Sequence, residues 1–243
     1  MLRVDRVGVR FGGVQAVWEL SLECPAGRVT GLIGPNGAGK TTLFNVITGL
    51  QRPDSGRVLL DDRDLTRLSA QRRAKAGLAR TFQRLEVFGS LTVRENVMLS
   101  AELQQGLRRR GGESPRDIAD QLLARVGLAA LADQPAGALP TGSARLLELA
   151  RALATQPSVL LLDEPGSGLS EAETDALGEL LLSLAADDIA VLLVEHDVEL
   201  VMRVCEHVYV IDFGQLLAEG TPTQVQADTR VQTAYLGAEL VHG

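Results

Sequence analysis

Gly34-Pro35-Asn36-Gly37-Ala38-Gly39-Lys40-Thr41 is the stretch of sequence that decides the fold. It matches a phosphate-binding loop, in which glycine, four free residues and glycine precede lysine and then serine or threonine. The apolar run in residues 28–33 predicts a buried strand before the loop, and residues 41–50 predict a helix that ends at Gly49. The chain has two lysines against twenty-two arginines, and Lys40 occupies the one position that demands lysine. A plain glycine-rich turn is therefore the weaker interpretation.

The chemistry of such a loop is specific for phosphate. Its glycines let successive backbone N–H groups converge on phosphate oxygens, and the following helix directs its positive end at the same group. Lys40 is expected to contact the β- and γ-phosphates, and the Thr41 hydroxyl to coordinate Mg²⁺. The residues predicted to bind nucleotide here are Gly34, Asn36, Gly37, Ala38, Gly39, Lys40, Thr41 and Thr42.

Composition narrows the class of protein further. The length suits one medium α/β domain with an inserted lobe, and the formal net charge of -7 argues against a surface for duplex nucleic acid. Arg108-Arg109-Arg110 is a local exception, interpreted as a solvated loop tip. Cys24 and Cys205 form no metal-ligand pattern, so a reduced cytosolic setting fits best. No apolar run is long enough to cross a bilayer, so at a membrane another chain would supply the span.

The order of elements predicts an α/β core interrupted by helices. Residues 2–33 predict three strands, and residues 57–60 a further short strand. A helix is expected over 69–76 and an extended segment over 78–83. Residues 88–155 have an almost wholly helical pattern.

Capping signals mark several of the helix starts. Thr92-Val93-Arg94-Glu95 and Ser170-Glu171-Ala172-Glu173 are capping boxes, and Ser114-Pro115 begins another helix. Thr221-Pro222-Thr223-Gln224 opens a terminal helical segment. After Pro157 the α/β alternation returns, with two short apolar runs typical of central parallel strands.

The first of these runs ends in two carboxylates. Val159-Leu160-Leu161-Leu162-Asp163-Glu164 predicts a strand that places Asp163 beside Thr41, where it can hold Mg²⁺ directly or through water. Glu164 would then face the γ-phosphate and polarise an attacking water as general base. A strand followed by an acidic cap is the alternative interpretation.

Three further residues are candidates, each with a simpler alternative. His196 follows the second apolar run and can bridge the γ-phosphate and Glu164, or it can be an ordinary loop histidine. Gln83 ends the extended segment, and its amide can sense the Mg²⁺ and water positions, or it can be a surface glutamine. Phe11 can stack on adenine, or it can be a core aromatic.

With these motifs in this order, the chain resembles the ABC (ATP-binding cassette) ATPases over essentially its full length. Within that family it is most similar to the ATP-binding subunits of branched-chain amino-acid importers. The stretches that carry this closer similarity are Thr81-Phe82-Gln83-Arg84-Leu85, Leu91-Thr92-Val93-Arg94-Glu95-Asn96-Val97, Glu195-His196-Asp197, Gly220-Thr221-Pro222 and Ala234-Tyr235-Leu236-Gly237.

The resemblance implies a fold and a mode of action. The fold is an α/β P-loop NTPase cassette with a mainly parallel core sheet, an antiparallel β subdomain and an inserted helical subdomain. Residues 1–87 and 156–243 would form the nucleotide-binding core, and residues 88–155 the helical subdomain. ATP and Mg²⁺ would bind with Lys40, Glu164 and His196 as the catalytic residues, while Gln83 joins Thr41 and Asp163 at the metal.

The resemblance also implies partners. Two cassettes would enclose two ATP molecules head to tail, and the helical subdomain would dock on a membrane permease. This arrangement places the chain in the cytoplasm, peripheral on the inner face of the cell membrane. No nucleic-acid partner is expected.

One motif departs from the family pattern. The signature, usually leucine, serine, a variable residue, glycine and glutamine, is here Leu139-Pro140-Thr141-Gly142-Ser143. Leu139, Thr141, Gly142 and Ser143 remain the residues expected to face the partner's ATP, but Pro140 has neither hydroxyl nor N–H. Ser170 also stands where the family commonly has aspartate or asparagine. The residues expected to act on this chain's own ATP are intact, whereas the signature expected to contact the partner's ATP is degraded. This asymmetry predicts a heterodimer, with a homodimer as the alternative.

Two rival functions stay open at this stage. One is the ATPase of another ABC system, of lipid or exporter type. The other is a regulatory module that binds ATP with little turnover because of the degraded signature.

Overall fold

The computed structural model describes residues 1–82, 86–108 and 113–240, and within them ten strands form two sheets. The strands are β1 (Leu2–Phe11), β2 (Val14–Cys24), β3 (Val29–Ile33), β4 (Ser55–Leu60), β5 (Arg63–Asp64), β6 (Leu78–Arg80), β7 (Val159–Asp163), β8 (Ala190–Val194), β9 (His207–Asp212) and β10 (Gln215–Gly220).

The described part of the chain also contains nine α-helices and two short 3₁₀ helices, Ala129–Leu131 and Ala136–Ala138. The α-helices are α1 (Lys40–Thr48), α2 (Ala70–Lys75), α3 (Val93–Arg108), α4 (Pro115–Arg125), α5 (Thr141–Leu153), α6 (Glu171–Ala186), α7 (Val198–Val204), α8 (Pro222–Ala227) and α9 (Thr229–Leu240). Over these same ranges, no helix combines the length and apolar character needed to span a bilayer.

The larger sheet is mainly parallel, with strand order β10-β9-β3-β8-β7-β6. Among the described strands of this sheet, β10 alone runs antiparallel to its neighbour. Strands β3, β7 and β8 are buried at every residue, which explains their uninterrupted apolar sequences. Because parallel strands end at one edge of a sheet, the loops that begin at Gly34, Glu164 and Glu195 emerge side by side.

The smaller sheet is antiparallel, with strand order β2-β1-β4-β5. Its apolar side chains share a core with α1 and with one face of the larger sheet, to which Leu32, Leu161 and Leu192 belong. The helix that follows the phosphate loop is therefore packed between two sheets. This packing holds the amino end of α1 at a fixed place beside the parallel strand ends.

The helices between β6 and β7 have capped ends, and their buried residues belong to the same core as the other face of the larger sheet. Leu123 and Leu147 are fully buried there, and each contributes about 1.5–3 kcal/mol by leaving water. The predicted capping box at α3 is present, since the Thr92 N–H donates to Glu95 Oε2 at 2.7 Å and the Glu95 N–H to Thr92 Oγ1 at 3.1 Å. Ser114 likewise caps α4, with its Oγ accepting from the Asp117 N–H at 3.1 Å.

Two details differ from the sequence-based expectation. The extended segment predicted over 78–83 is shorter, because β6 ends at Arg80 and the backbone pairing continues only to the Thr81 N–H, which donates to the Leu161 carbonyl at 3.0 Å. The arginine run was interpreted as a loop tip, but Arg108 is the last residue of α3; Arg109 and Arg110 lie outside the described residues.

Candidate active site

The phosphate loop has a backbone that its sequence makes possible. Gly39 caps α1 with φ near 105°, and a Cβ placed there would stand 2.6 Å from the Ala16 carbonyl oxygen. A Cβ at Gly34 would likewise collide with the Ile211 carbonyl. The loop is closed by the Ala38 N–H, which donates to the Pro35 carbonyl at 3.2 Å. Both glycines are therefore required by close backbone approach inside the chain itself.

The other loop residues are more open to solvent. Asn36, Gly37 and Thr41 are exposed, and Thr42 is half-buried in the first turn of α1. The Thr41 hydroxyl and the backbone N–H groups at the start of α1 are thus accessible where an anion would bind.

Lys40 bends back over the loop. Its Nζ donates to the Gly34 carbonyl at 2.6 Å and to the Pro35 carbonyl at 3.0 Å. Burial lowers the pKa of Lys40, although the carboxylates of Glu164 and Asp163 act in the opposite direction. Since β3 and β7 both pair in parallel with β8, the fold brings the loop after β3 and the end of β7 to the same edge of the sheet.

Asp163 is the last residue of β7 and is buried. Its Oδ2 accepts from Arg80 Nη2 at 2.9 Å, and its N–H donates to Thr81 Oγ1 at 3.3 Å. The Thr41 hydroxyl and the Asp163 carboxylate are hard oxygen donors, which suit Mg²⁺ shared with substrate phosphates. The donor set therefore fits the ion that the sequence predicts.

Glu164 and His196 form the second half of the site. Glu164 Oε1 lies 2.9 Å from His196 Nε2; the glutamate side chain is 17% exposed and the histidine 50%. Glu164 has φ near 53°, a left-handed conformation that is uncommon outside glycine, and its N–H donates to the Val194 carbonyl at 2.8 Å. The backbone turns there at the end of β7, and the Glu164 carboxylate contacts the histidine that follows the adjacent strand.

Glu195 is a residue whose importance the sequence did not reveal. It is buried, and its Oε1 accepts from the Gly166 N–H at 2.6 Å while its Oε2 accepts from the His196 N–H at 3.1 Å. Burial raises the pKa of Glu195, and its backbone donors partly oppose that rise. The carboxylate ties together the two loops that carry Glu164 and His196. In the sequence it was noted as the first residue of Glu195-His196-Asp197, without a role of its own.

Gln83 lies outside the described residues, but its flanks are held by α5. Arg145 Nη1 donates to the Phe82 carbonyl at 2.8 Å, and the Glu86 N–H donates to Glu148 Oε1 at 2.7 Å. Arg151 donates to the Glu86 carbonyl. Burial is the main cause of the raised pKa of Glu148. The helix that follows the signature stretch is therefore bonded to the chain on both sides of residues 83–85.

The signature stretch forms the start of α5. Pro140 is the N-cap residue, and its carbonyl accepts from the Ala144 N–H at 2.9 Å, so the helix tolerates proline there as expected. Gly142 is buried, and a Cβ on it would come within 2.9 Å of the Gly168 carbonyl. Leu139 is partly buried against the larger core, Thr141 is exposed and Ser143 is half-buried.

Two predictions at the edges of the site have different outcomes. Ser170 caps α6 in a complete capping box, as expected. Phe11 is 51% exposed at the end of β1, so the alternative that it is a core aromatic is wrong. Stacking of Phe11 on adenine stays a prediction.

Family models and curated relatives match this chain over nearly its full length. The ABC transporter family model matches residues 17–167. A second model, for the branched-chain amino acid ATP-binding cassette transporter, matches residues 215–241. The high-affinity branched-chain amino acid transport ATP-binding protein LivG of Escherichia coli (strain K12) is 41% identical over 249 residues, which cover 98% of each chain. The lipopolysaccharide export system ATP-binding protein LptB of Haemophilus influenzae is 34% identical over 240 residues, covering 99% of this chain and 98% of that protein.

Solved structures agree with these sequence matches. An ATP-binding cassette of an ABC transporter in its ADP conformation has a TM-score of 0.85 at 32% identity, covering 98% of both chains. A dimeric cassette in a post-hydrolysis state, bound to ADP and Pi, has a TM-score of 0.81 at 26% identity, covering 91% of this chain and 99% of that one. By its sequence, its two-sheet fold and its phosphate loop, the chain belongs to the ABC transporter family of ATPases.

Proposed function

We propose that this chain is the subunit that binds and hydrolyses ATP for an ABC importer of branched-chain or related amino acids. The observation that carries the hydrolytic part is the 2.9 Å contact between Glu164 Oε1 and His196 Nε2 beside the Lys40 loop. The importer assignment rests on the 41% identity to LivG over 98% of each chain. The match of residues 215–241 to the branched-chain amino acid cassette model supports the same assignment.

The mechanism follows from the positions of the side chains. Lys40 exchanges its bonds to the Gly34 and Pro35 carbonyls for bonds to phosphate oxygens when nucleotide binds. Glu164 accepts the proton of the attacking water, and His196 holds that carboxylate in place by its ring nitrogen. Bound Mg²⁺ would neutralise charge on the phosphates, and Thr41, Asp163 and Gln83 are the residues that we expect to hold it.

A complete site requires a second cassette. The signature residues Leu139, Thr141, Gly142 and Ser143 would face the ATP bound to a partner chain, and the helical segment would dock on a membrane permease at the cytoplasmic face. Pro140 removes one hydroxyl and one N–H from that surface. The partner is therefore a different cassette with a sound signature, and a homodimer is the alternative.

A second candidate function is the ATPase of a lipid-export system. The 34% identity to LptB over 99% of this chain favours it. The lower identity and the match of the last residues to the amino-acid cassette model make it the weaker candidate.

Amino-acid uptake by the source organism separates these functions. Deletion of the gene should lower uptake of radiolabelled leucine, isoleucine and valine. Wild-type chain should restore it, and the Glu164→Gln variant, expressed at equal level, should not. Unchanged uptake, accompanied by a defect in delivery of lipid to the outer surface, would contradict the importer assignment and support the export system.

A further inference from the structure

Arg80 is a buried charge at the active-site edge that no motif assigns. It is the last residue of β6, which pairs in parallel with β7 so that Arg80 lies opposite Leu161, two residues before Asp163. Its side chain is 5% exposed. A guanidinium is expensive to bury unless its partners fix it, so the contacts it makes are informative.

Those contacts join three elements around the metal-side carboxylate. Nη2 donates to Asp163 Oδ2 at 2.9 Å, and Nη1 donates to Asn45 Oδ1 at 2.6 Å. The guanidinium carbon also lies 4.9 Å from the centroid of the Phe82 ring and 5.3 Å from that of Phe44. Arg80 thus connects the helix of the phosphate loop with the end of β7 and with the residue that precedes Gln83.

Arg80 uses some of its hydrogen-bond donors and leaves one without a partner among the described residues. Arg80 Nε is buried and has no hydrogen-bond partner among the described residues, although both Nη groups are used. Across the described ranges, the hydrogen bond that Asp163 accepts on its side chain goes to Oδ2, which leaves Oδ1 for other partners. A guanidinium that lies against two aromatic rings and donates to one carboxylate oxygen restricts the rotation of that carboxylate.

We propose that Arg80 is a positioning residue for the metal: by holding Oδ2 of Asp163, it aims Oδ1 at the Mg²⁺ that accompanies the triphosphate. This inference rests on the proposed function, because it assigns a residue to the same site. It does not require Arg80 to touch nucleotide or metal. The partner of a metal ligand commonly changes metal affinity by roughly tenfold or more, which sets the scale of the effect.

The sequence offers a matched control in Arg73. This arginine is 1% exposed, and among the described residues it donates to backbone carbonyls alone, including those of Val46 at 2.6 Å and Ile47 at 2.8 Å. Arg73→Lys disturbs a buried arginine of the same region without touching Asp163. This variant therefore shows how a general loss of stability, without any change at Asp163, affects the Mg²⁺ dependence.

The experiment measures binding of a fluorescent ATP analogue to the full chain, with Mg²⁺ and with a chelator, at a temperature where every variant is folded. Arg80→Lys and Arg80→Gln should both raise the Mg²⁺ concentration for half-maximal enhancement of binding by roughly tenfold. Affinity in chelator should stay within about twofold, because Lys40 and the loop N–H groups are untouched. Arg73→Lys should lower the melting temperature and leave the Mg²⁺ dependence as in wild type.

Two results have distinct meanings. If the Arg80 variants keep or strengthen the wild-type Mg²⁺ dependence, the arginine does not position Asp163 and the inference is overturned. If the wild-type chain itself binds the analogue equally with and without Mg²⁺, the proposed function fails at the metal site, and the inference fails with it. Loss of positive charge does not explain the expected result, because Arg80→Lys keeps the charge and is still expected to need about tenfold more Mg²⁺.

Discussion

Replacing single glycines of the phosphate loop tests why the loop has its sequence. Gly39 and Gly37 both have left-handed backbones, with φ near 105° and 80°. Their surroundings differ, since a Cβ at Gly39 would stand 2.6 Å from the Ala16 carbonyl oxygen, whereas one at Gly37 would meet nothing within 4 Å. Gly37→Ala is therefore a matched control for Gly39→Ala.

The expected magnitudes follow from these two environments. Alanine in a left-handed conformation costs about 1–2 kcal/mol, and both variants incur this cost. The contact with the Ala16 carbonyl adds an overpacking cost of about 1–3 kcal/mol at Gly39 only. Gly39→Ala should thus lower the free energy of unfolding by about 2–5 kcal/mol, and Gly37→Ala by about 1–2 kcal/mol.

Chemical denaturation of the nucleotide-free chain measures both values. In a domain of this size a difference of about 2 kcal/mol corresponds to a gap of roughly 4–8 °C in melting temperature. Equal destabilisation by the two variants would refute the reasoning, because it would show that the Ala16 carbonyl does not constrain the loop.

Three further predictions concern Glu164, the buried thiols of Cys24 and Cys205, and Pro140 of the signature. Glu164→Gln should retain ATP binding and lower hydrolysis on the order of 10²-fold, measured by phosphate release; hydrolysis within a few fold of wild type would exclude Glu164 as the base. Burial raises the pKa of Cys24 and of Cys205 to about 12, so their contribution to stability is fully present below about pH 9 and is lost as the pH rises toward 12. In a variant with both Cys24→Ala and Cys205→Ala, the free energy of unfolding should therefore depend less steeply on pH above about 9. An unchanged pH dependence would contradict the raised pKa values. Pro140→Ser should speed turnover in a complex with a cassette of sound signature, and equal steady-state rates would argue against an asymmetric pair.

The sequence predicted those features that depend on local chemistry. The phosphate loop, the apolar strand that ends at Asp163 and the capping box at Ser170 each combine residue types at fixed spacing. Their secondary structure follows from neighbours in the chain, whereas the contacts that require Gly34 and Gly39 are made with Ile211 and Ala16. The role of Glu164 and His196 in hydrolysis stays a prediction, although the fold places the two side chains in contact.

The sequence did not predict the residues that support the site. Arg80 belongs to none of the motifs, and Glu195 lies in Glu195-His196-Asp197 with no role assigned to it. Each contacts residues far along the chain, such as Asp163 and Gly166. From the sequence, Gly142 is expected to face the partner's ATP, whereas the fold also packs it against Gly168. Such contacts arise from the arrangement of strands and loops, and a single sequence does not specify that arrangement.

The central claim is that Lys40, Thr41, Asp163 and Glu164 gather around one magnesium triphosphate. A crystal structure of the Glu164→Gln variant with ATP and Mg²⁺ tests it most directly. The account predicts the Thr41 hydroxyl at about 2.1 Å from the metal and the Asp163 carboxylate within reach of the metal or of a water bound to it. A carboxylate more than about 6 Å from the metal, with no bridging water, would contradict the account.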